Sequence, residues 1–130
     1  MPINISALIC DDIRQESNGK MFLIGAFVEN MGVPSFPAEN RFDCVIRFSG
    51  LPANAEFMEL TIQHVGYASE TTRFDFPNIT DGCSTIVIFG FPFKAKRKGR
   101  FSLLVSVDGG RRRRVESLNI EDESSSIEAD

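Results

Sequence analysis

The chain has 130 residues, 42% of them apolar and 25% charged, which is typical of a single globular domain. A chain of this length buries about two-thirds of its unfolded surface, so neither a disulfide nor a metal ion is needed to hold a core together. The three cysteines are widely spaced, no signal peptide is recognisable and no apolar run is long enough to cross a bilayer. These features exclude a disulfide scaffold and predict a cytoplasmic protein with reduced thiols and no membrane contact.

The amino-terminal part of the chain predicts two strands joined by a polar turn. Residues 3–10 alternate between apolar and polar side chains, as a half-buried strand does. Residues 11–19 are polar and end at Asn18-Gly19, a strong turn signal. Residues 20–28 are apolar on both faces, which predicts a strand in the middle of a sheet that is covered on both sides.

Residues 31–40 contain two prolines and predict a loop. The next strand is predicted over residues 41–48, with its even-numbered residues, Cys44 among them, facing inward and Asp43 and Arg47 facing outward. The same reasoning predicts further strands over residues 57–65, 70–76, 84–89, 101–107 and 111–120. Asp108-Gly109 predicts a hairpin between the last two, and residues 94–99 predict a basic connector.

Seven or eight short strands without a crossover helix predict an all-β fold with mostly antiparallel pairing. The expected architecture is a two-layer antiparallel β-sandwich of immunoglobulin-like or Greek-key type, and a closed barrel is the alternative. The twelve phenylalanines are expected to form much of its core. Residues 1–120 are expected to form the domain, followed by an acidic, disordered tail over residues 121–130.

The first polar segment is a weak candidate for a metal site, because Asp11, Asp12 and Glu16 lie within six residues. Calcium takes six to eight oxygen ligands, and Arg14 and Lys20 would compete for these carboxylates. A turn whose aspartates accept backbone hydrogen bonds is the favoured interpretation, so we predict no metal ion and no cofactor.

The sequence contains no recognisable catalytic constellation. His64 is the only histidine, and it continues the inward face of its strand, which predicts a residue at the rim of the core. Thiol catalysis would require a cysteine beside it, and nothing in the sequence brings Cys10, Cys44 or Cys83 there. We therefore expect that the protein is not an enzyme.

The strongest local feature is a basic segment followed by an acidic one. Residues 94–114 contain nine basic side chains against one acid, and residues 116–130 contain six acids and no base. The basic side chains are predicted to form a stripe that could bind a polyanion or a protein partner: Lys94, Lys96, Arg97, Lys98, Arg100, Arg111, Arg112, Arg113 and Arg114.

Three interpretations of this stripe remain open at this point: contact with phosphates, neutralisation by the acidic segment, and charged protection of a strand edge. Nucleic acid is not favoured, because neither interleaved aromatic residues nor a helix accompanies the basic run. Four consecutive arginines cannot all face one side of a regular strand, which predicts either an edge strand or a bulge.

One segment resembles a known group of proteins. Residues 10–16 (CDDIRQE) followed by residues 19–25 (GKMFLIG) resemble the opening of an uncharacterised bacterial family of small β-rich proteins, a domain of unknown function. Residues 99–109 (GRFSLLVSVDG) are similar to a strand and turn of many immunoglobulin-like modules. The resemblance implies a bacterial β-sandwich and carries no activity with it.

The sequence therefore favours a non-enzymatic binding or accessory module. Its partner is expected to be a protein, and a second copy of the chain is one candidate. The alternative function is polyanion or nucleic-acid binding through residues 94–114.

Overall fold

The computed structural model describes residues 2–64 and 67–122, with the backbone alone for residues 67–69 and Asp122. The described residues form nine strands in two sheets and no helix, which confirms the predicted all-β sandwich. Within these ranges no helix is long and apolar enough to cross a membrane. The strands are β1 (Asn4–Gln15), β2 (Met21–Ala26), β3 (Asn30–Val33), β4 (Ala38–Ser49), β5 (Phe57–His64), β6 (Tyr67–Asp75), β7 (Ser84–Ala95), β8 (Gly99–Val107) and β9 (Arg113–Asp122).

The four-stranded sheet has the order β2-β1-β4-β7, and the five-stranded sheet has the order β3-β9-β8-β5-β6. Pairing is antiparallel except between β3 and β9, which run parallel with Asn30 opposite Asn119. The pairing is mostly antiparallel because hairpins and short loops connect most of these strands.

The core lies between the sheets and is built around phenylalanine. Phe42 is 1% exposed, and its ring centroid lies 5.7 Å from that of Phe93 and 5.8 Å from that of Phe101. The predicted inward faces are confirmed for three strands, whose core residues are Phe42, Cys44, Ile46 and Phe48 in β4, Met58, Leu60 and Ile62 in β5, and Phe101, Leu103 and Val105 in β8. Alternation works for these strands because each covers the core with one face only.

The prediction that the second strand lies in the middle of a sheet is wrong. β2 is the edge of the four-stranded sheet, and Phe22 and Ile24 are 56% and 48% exposed. Met21 and Leu23, on the other face, pack against Ile13 and its neighbours. An apolar pattern on both faces therefore arises here from one packed face and one face that is half open to solvent.

The polar segment after Cys10 was predicted to be a turn. It is instead the second half of β1, which pairs with β2 as far as Gln15. The turn follows Gln15 and spans residues 16–20, where the Glu16 N–H donates to the carbonyl oxygen of Lys20 at 2.8 Å. Gly19, in the predicted Asn18-Gly19 turn, has a positive φ of +86°. Gly25 also has a positive φ, but it lies on the exposed edge strand and not in a buried one.

Other boundaries also differ from the sequence-based predictions: β6 begins at Tyr67 and not at residue 70, and β7, predicted to end at residue 89, runs to Ala95. The predicted loop over residues 31–40 contains most of β3 and the start of β4, because the two prolines fall between these strands. The predicted basic connector is shorter, since Lys94 belongs to β7 and Gly99 already belongs to β8. β9 continues to Asp122, and the remainder of the predicted disordered tail, residues 123–130, lies outside the described residues.

Asp43 points away from the core, as predicted, and yet it is only 7% exposed. Its Oδ2 accepts a hydrogen bond from the Ile13 N–H at 2.8 Å, and its Oδ1 accepts one from the Gly90 N–H at 2.7 Å. Gly90 lies where the β4–β7 register shifts between Phe42 and Cys44. A bulge frees backbone donors, and this carboxylate satisfies one on each side of its strand.

Candidate functional site

The nine predicted basic residues fall into two groups at opposite ends of β8. Gly99 pairs with Ile120 and Val105 pairs with Arg113, so the groups are separated by six residues of extended strand, about 20 Å. The register therefore does not bring all nine side chains together. The first group holds Lys94, Lys96, Arg97, Lys98 and Arg100, and the second holds Arg111, Arg112, Arg113 and Arg114.

The first group surrounds the connection between β7 and β8. Lys94 lies 3.5 Å from the Glu39 carboxylate, and the Arg100 guanidinium donates to the Ser117 hydroxyl at 2.6 Å. Arg100 pairs with Asn119, so this group lies beside the end of β9 that leads into the acidic segment. The position suits local charge neutralisation.

The second group lines a cleft of about 640 Å³ at one corner of the sandwich. We call it the arginine cleft, and the residues that line it besides Arg111–Arg114 are Pro2, Ile3, Ile5, Val105, Val107 and Gly110. Its floor is aliphatic, its rim is cationic, and no lining residue is acidic or aromatic. The Arg113 guanidinium donates to the Ile3 carbonyl oxygen and so joins β9 to the start of β1.

A bulge gives the four arginines their different directions. Leu103 pairs with Glu116 and Leu104 pairs with Arg114, which leaves Val115 as an extra residue in β9. Arg113 lies opposite the inward-facing Val105, whereas Arg114 lies opposite the outward-facing Leu104. Because β3 pairs only from Asn119 onward, this half of β9 is also an unpaired edge, as charged edge protection requires.

The arginine cleft carries uncompensated charge within the described part of the chain. The ion pairs found there join Arg14 to Asp12, Arg73 to Asp75 and Lys94 to Glu39, and none of them includes Arg111–Arg114. All four arginines are exposed. Concentrated positive charge on a protein whose net charge is −4 attracts anionic groups to this corner.

A second candidate surface is the outer face of the four-stranded sheet. Leu8 pairs with Val45, and Val45 pairs with Val87, so the three side chains form a row across β1, β4 and β7. Phe89 follows two residues after Val87 on the same face. Leu8 is 48% exposed and Phe89 is 57% exposed. We call this surface, defined by Leu8, Val45, Val87 and Phe89, the apolar face.

The outer face of the five-stranded sheet has the opposite character. There Glu59 pairs with Ser106 and Gln63 pairs with Ser102, and Arg114 lies beside Leu104 at the next strand. A polar outer face is what a solvent-facing antiparallel sheet needs. The contrast between the two faces therefore distinguishes the apolar face from ordinary surface.

The apolar face was not predicted from the sequence. Residues 3–10 were interpreted as one inward and one outward set, and Leu8 falls in the outward set with Asn4, Ser6 and Cys10. An apolar residue in the mostly polar phase of a strand was the signal that could have found it. The phase of β1 also changes further along, because Cys10 and Ile13 pack in one cluster although they are an odd number of positions, three, apart.

His64 is buried at the rim of the core, as predicted, at 6% exposure. Its Nδ1 lies 3.1 Å from the Arg100 carbonyl oxygen, and its Nε2 lies 2.8 Å from the Arg97 carbonyl oxygen. The ring therefore holds the backbone of the first basic group in place. Both contacts are to carbonyl oxygens, which have no proton to exchange.

The cysteines do not form a reactive pair with His64. Burial raises the pKa of the Cys44 thiol to about 12. The pKa of the Cys10 thiol is also raised, mainly by burial and to a smaller extent by the nearby Asp43 carboxylate. Both are therefore protonated at neutral pH, and a protonated thiol is a poor nucleophile. Cys83 is exposed in the connection before β7.

We expect that replacing His64 by phenylalanine lowers the free energy of unfolding by about 1–3 kcal/mol, since the ring N–H that donates to one of the two part-buried carbonyl oxygens, of Arg97 or of Arg100, is lost while the ring volume is kept. Urea denaturation followed by circular dichroism measures the loss. The matched control is Gln63→Ala at the neighbouring exposed position, where a change within about 0.5 kcal/mol is expected. Equal losses for both variants would contradict the structural role of the ring.

The weak metal candidates do not converge. Asp12 is bound to the Arg14 guanidinium at 2.9 Å, and Asp11 packs over Gly25. Glu16 lies in the following turn. Within residues 2–64 and 67–122 no three histidine, cysteine or acidic side chains lie close enough together to hold a metal ion.

Comparison with known proteins places the chain in a family. Residues 5–120 match the model of a family described as "Family of unknown function (DUF6941)". The chain belongs to this family. The match begins in β1 and ends in β9, so DUF6941 covers every strand of the sandwich. No curated protein matches the sequence. Membership of a family of unknown function is thus confirmed, whereas the bacterial origin and the role of residues 10–25 as the family's opening motif stay predictions.

Proposed function

We propose that this DUF6941 protein is a non-enzymatic binding module that docks a protein partner through the apolar face. The observation that carries the proposal is that Leu8 and Phe89 are 48% and 57% exposed on the outer side of a sheet that is already packed on its inner side. Val45 and Val87 lie in the same row, but Val45 is buried and both pack in a small cluster with neighbouring residues of β1 and β2. Soluble proteins rarely leave such patches uncovered unless a partner binds there. The partner is expected to present apolar side chains of its own.

The chemistry of the described residues supports a binding role over a catalytic one. The buried cysteines are protonated thiols, and His64 is bound to two backbone carbonyl oxygens. We also propose a bacterial, cytoplasmic setting, which the three free cysteines support. The alternative function, polyanion binding, now concerns a smaller surface. Because the nine basic residues fall into two separate groups, a local anion site is favoured over one long stripe.

Replacing Phe89 by lysine is expected to weaken partner binding at least about tenfold, because it puts a charge at the most exposed aromatic position of the apolar face. Leu8→Lys is expected to act in the same direction. The matched control is Gln63→Lys on the outer face of the other sheet, where binding should be unchanged. All three positions are exposed, and thermal melting followed by circular dichroism checks that each variant folds.

The oligomeric state of the wild type and of Phe89→Lys is measured first, by sedimentation velocity. If a dimer is present and the substitution dissociates it, the partner is a second copy of the chain. If the wild type is a monomer, a partner captured from the native host is purified, and its affinity for the wild type and the three variants is measured by calorimetry. Affinity that responds to Gln63→Lys but not to Phe89→Lys or Leu8→Lys would overturn the proposal.

A further inference from the structure

The arginine cleft has features of a ligand site separate from the apolar face. It lies at the corner where the start of β1 meets the start of β9, and its four arginines have no carboxylate partner among the described residues. Its volume of about 640 Å³ falls within the range of sites that hold small ligands or a few side chains. Edge protection alone would explain the charges, but it would not explain an aliphatic floor beneath them.

The lining residues indicate the chemistry of the ligand. The guanidinium groups of Arg111–Arg114 favour carboxylate or phosphate, because their planar donors match both anions. The partly exposed floor of Ile3, Ile5 and Val107, above the fully buried Val105, favours aliphatic groups. No aromatic ring lines the cleft, so it lacks the stacking surface on which proteins place the bases of a nucleic acid. An acidic chain with aliphatic side chains satisfies both parts of the site.

The strands at this corner suit an extended peptide. Residues 4–8 of β1 pair with β4 on one side only, since β2 pairs with β1 from Cys10 onward. Residues 113–118 of β9 pair with β8 on one side only, since β3 pairs with β9 only from Asn119 onward. Each sheet therefore offers an unpaired edge beside the cleft, and extended peptides bind proteins by adding to such edges.

The far end of β9 lies away from the cleft. β9 runs from Arg113 to Asp122, a distance of about 30 Å. Arg100 pairs with Asn119, so the end of β9 at Asp122 lies beside the first basic group and not beside the arginine cleft.

From these observations we propose that the arginine cleft binds an extended acidic segment of a partner protein in which acidic residues alternate with aliphatic ones. Carboxylates bind the arginine rim, and the aliphatic side chains lie on the floor. The site is independent of the partner that docks on the apolar face.

Fluorescence anisotropy with three labelled probes tests the proposal on the full chain. The probes are a short peptide of alternating glutamate and valine, a peptide of alternating glutamate and serine with the same charge, and single-stranded oligothymidylate of matched charge. We expect the glutamate–valine peptide to bind at least about tenfold more tightly than either of the others, since each buried valine adds aliphatic contact. Equal affinity for all three probes, or tighter binding of the oligonucleotide, would overturn the proposal.

Charge reversal locates the site. Arg112→Glu combined with Arg114→Glu is expected to weaken binding of the glutamate–valine peptide at least about tenfold. The matched control is Lys96→Glu with Lys98→Glu, which makes the same change in net charge in the first basic group and should alter affinity less than about twofold. Equal losses in the two double variants would mean that the peptide responds to net charge alone and would sink the assignment. Phe89→Lys should leave peptide binding unchanged, so the two proposals fail separately.

Discussion

Phe42→Ala is expected to cost about 3–5 kcal/mol of unfolding free energy, the largest effect of any substitution considered for this protein. Phe42 is 1% exposed, and its ring centroid lies 5.6 Å from that of Phe91, with Phe93 and Phe101 at similar distances. Removing it leaves a cavity bordered by three other rings from β7 and β8. Those rings are held by both sheets, so they cannot close the cavity without separating strands.

Phe22→Ala is the matched control, because it removes the same atoms from a side chain that is 56% exposed on the edge strand β2. Its expected cost is at most about 1 kcal/mol. Guanidinium denaturation at constant pH measures the unfolding free energy of both variants. It is followed by circular dichroism, because the chain contains no tryptophan. Comparable losses would mean that β2 is covered on both faces, as its sequence pattern alone predicts.

Asp43→Asn is expected to lower the unfolding free energy by about 2–4 kcal/mol, although the side chain is changed by one atom type. Both carboxylate oxygens of Asp43 accept backbone hydrogen bonds, from Ile13 in β1 and Gly90 in β7. Asparagine has one acceptor oxygen, so one bond is lost and an NH₂ group is placed against a backbone N–H. A buried donor that loses its acceptor keeps the full cost of leaving water.

Asp12→Asn makes the same chemical change where it should matter little, because Asp12 bonds to the exposed Arg14 guanidinium. A loss of at most about 0.5 kcal/mol is expected for that surface ion pair. Urea denaturation of the two variants in one buffer at neutral pH measures the difference. Similar denaturation midpoints for the two variants would show that the hydrogen bonds from Asp43 to β1 and β7 contribute little to stability.

Much of the fold follows from the sequence where a strand covers the core with a single face. β4, β5 and β8 alternate in sequence, and their apolar inward residues are buried as predicted. Burial itself does not alternate, because outward residues of these central strands are also covered by their neighbours: Asp43, Val45, Thr61, Ser102 and Ser106. β2 breaks this rule because apolar residues on both faces are compatible with a buried strand and with a half-exposed edge. β3 escaped prediction because its four residues are stabilised by a parallel partner at Asn119–Asp122, far away in the chain.

The candidate sites were predictable in composition but not in arrangement. Each of the nine basic residues is evident in the sequence, whereas their division into two groups depends on the pairing of Gly99 with Ile120 and of Val105 with Arg113. The bulge at Val115 then separates the directions of Arg113 and Arg114. Burial of Asp43 likewise depends on an irregularity in β7 that no local pattern reveals.

The parallel pair β3–β9 makes a later strand a condition for covering an earlier one. Met31 and Val33 are 1% and 0% exposed, yet the strand beside them begins to pair at Asn119, much further along the chain. Until β9 emerges from the ribosome, these two apolar side chains of β3 face water. A nascent chain, or one terminated before β9, therefore displays them to chaperones and proteases.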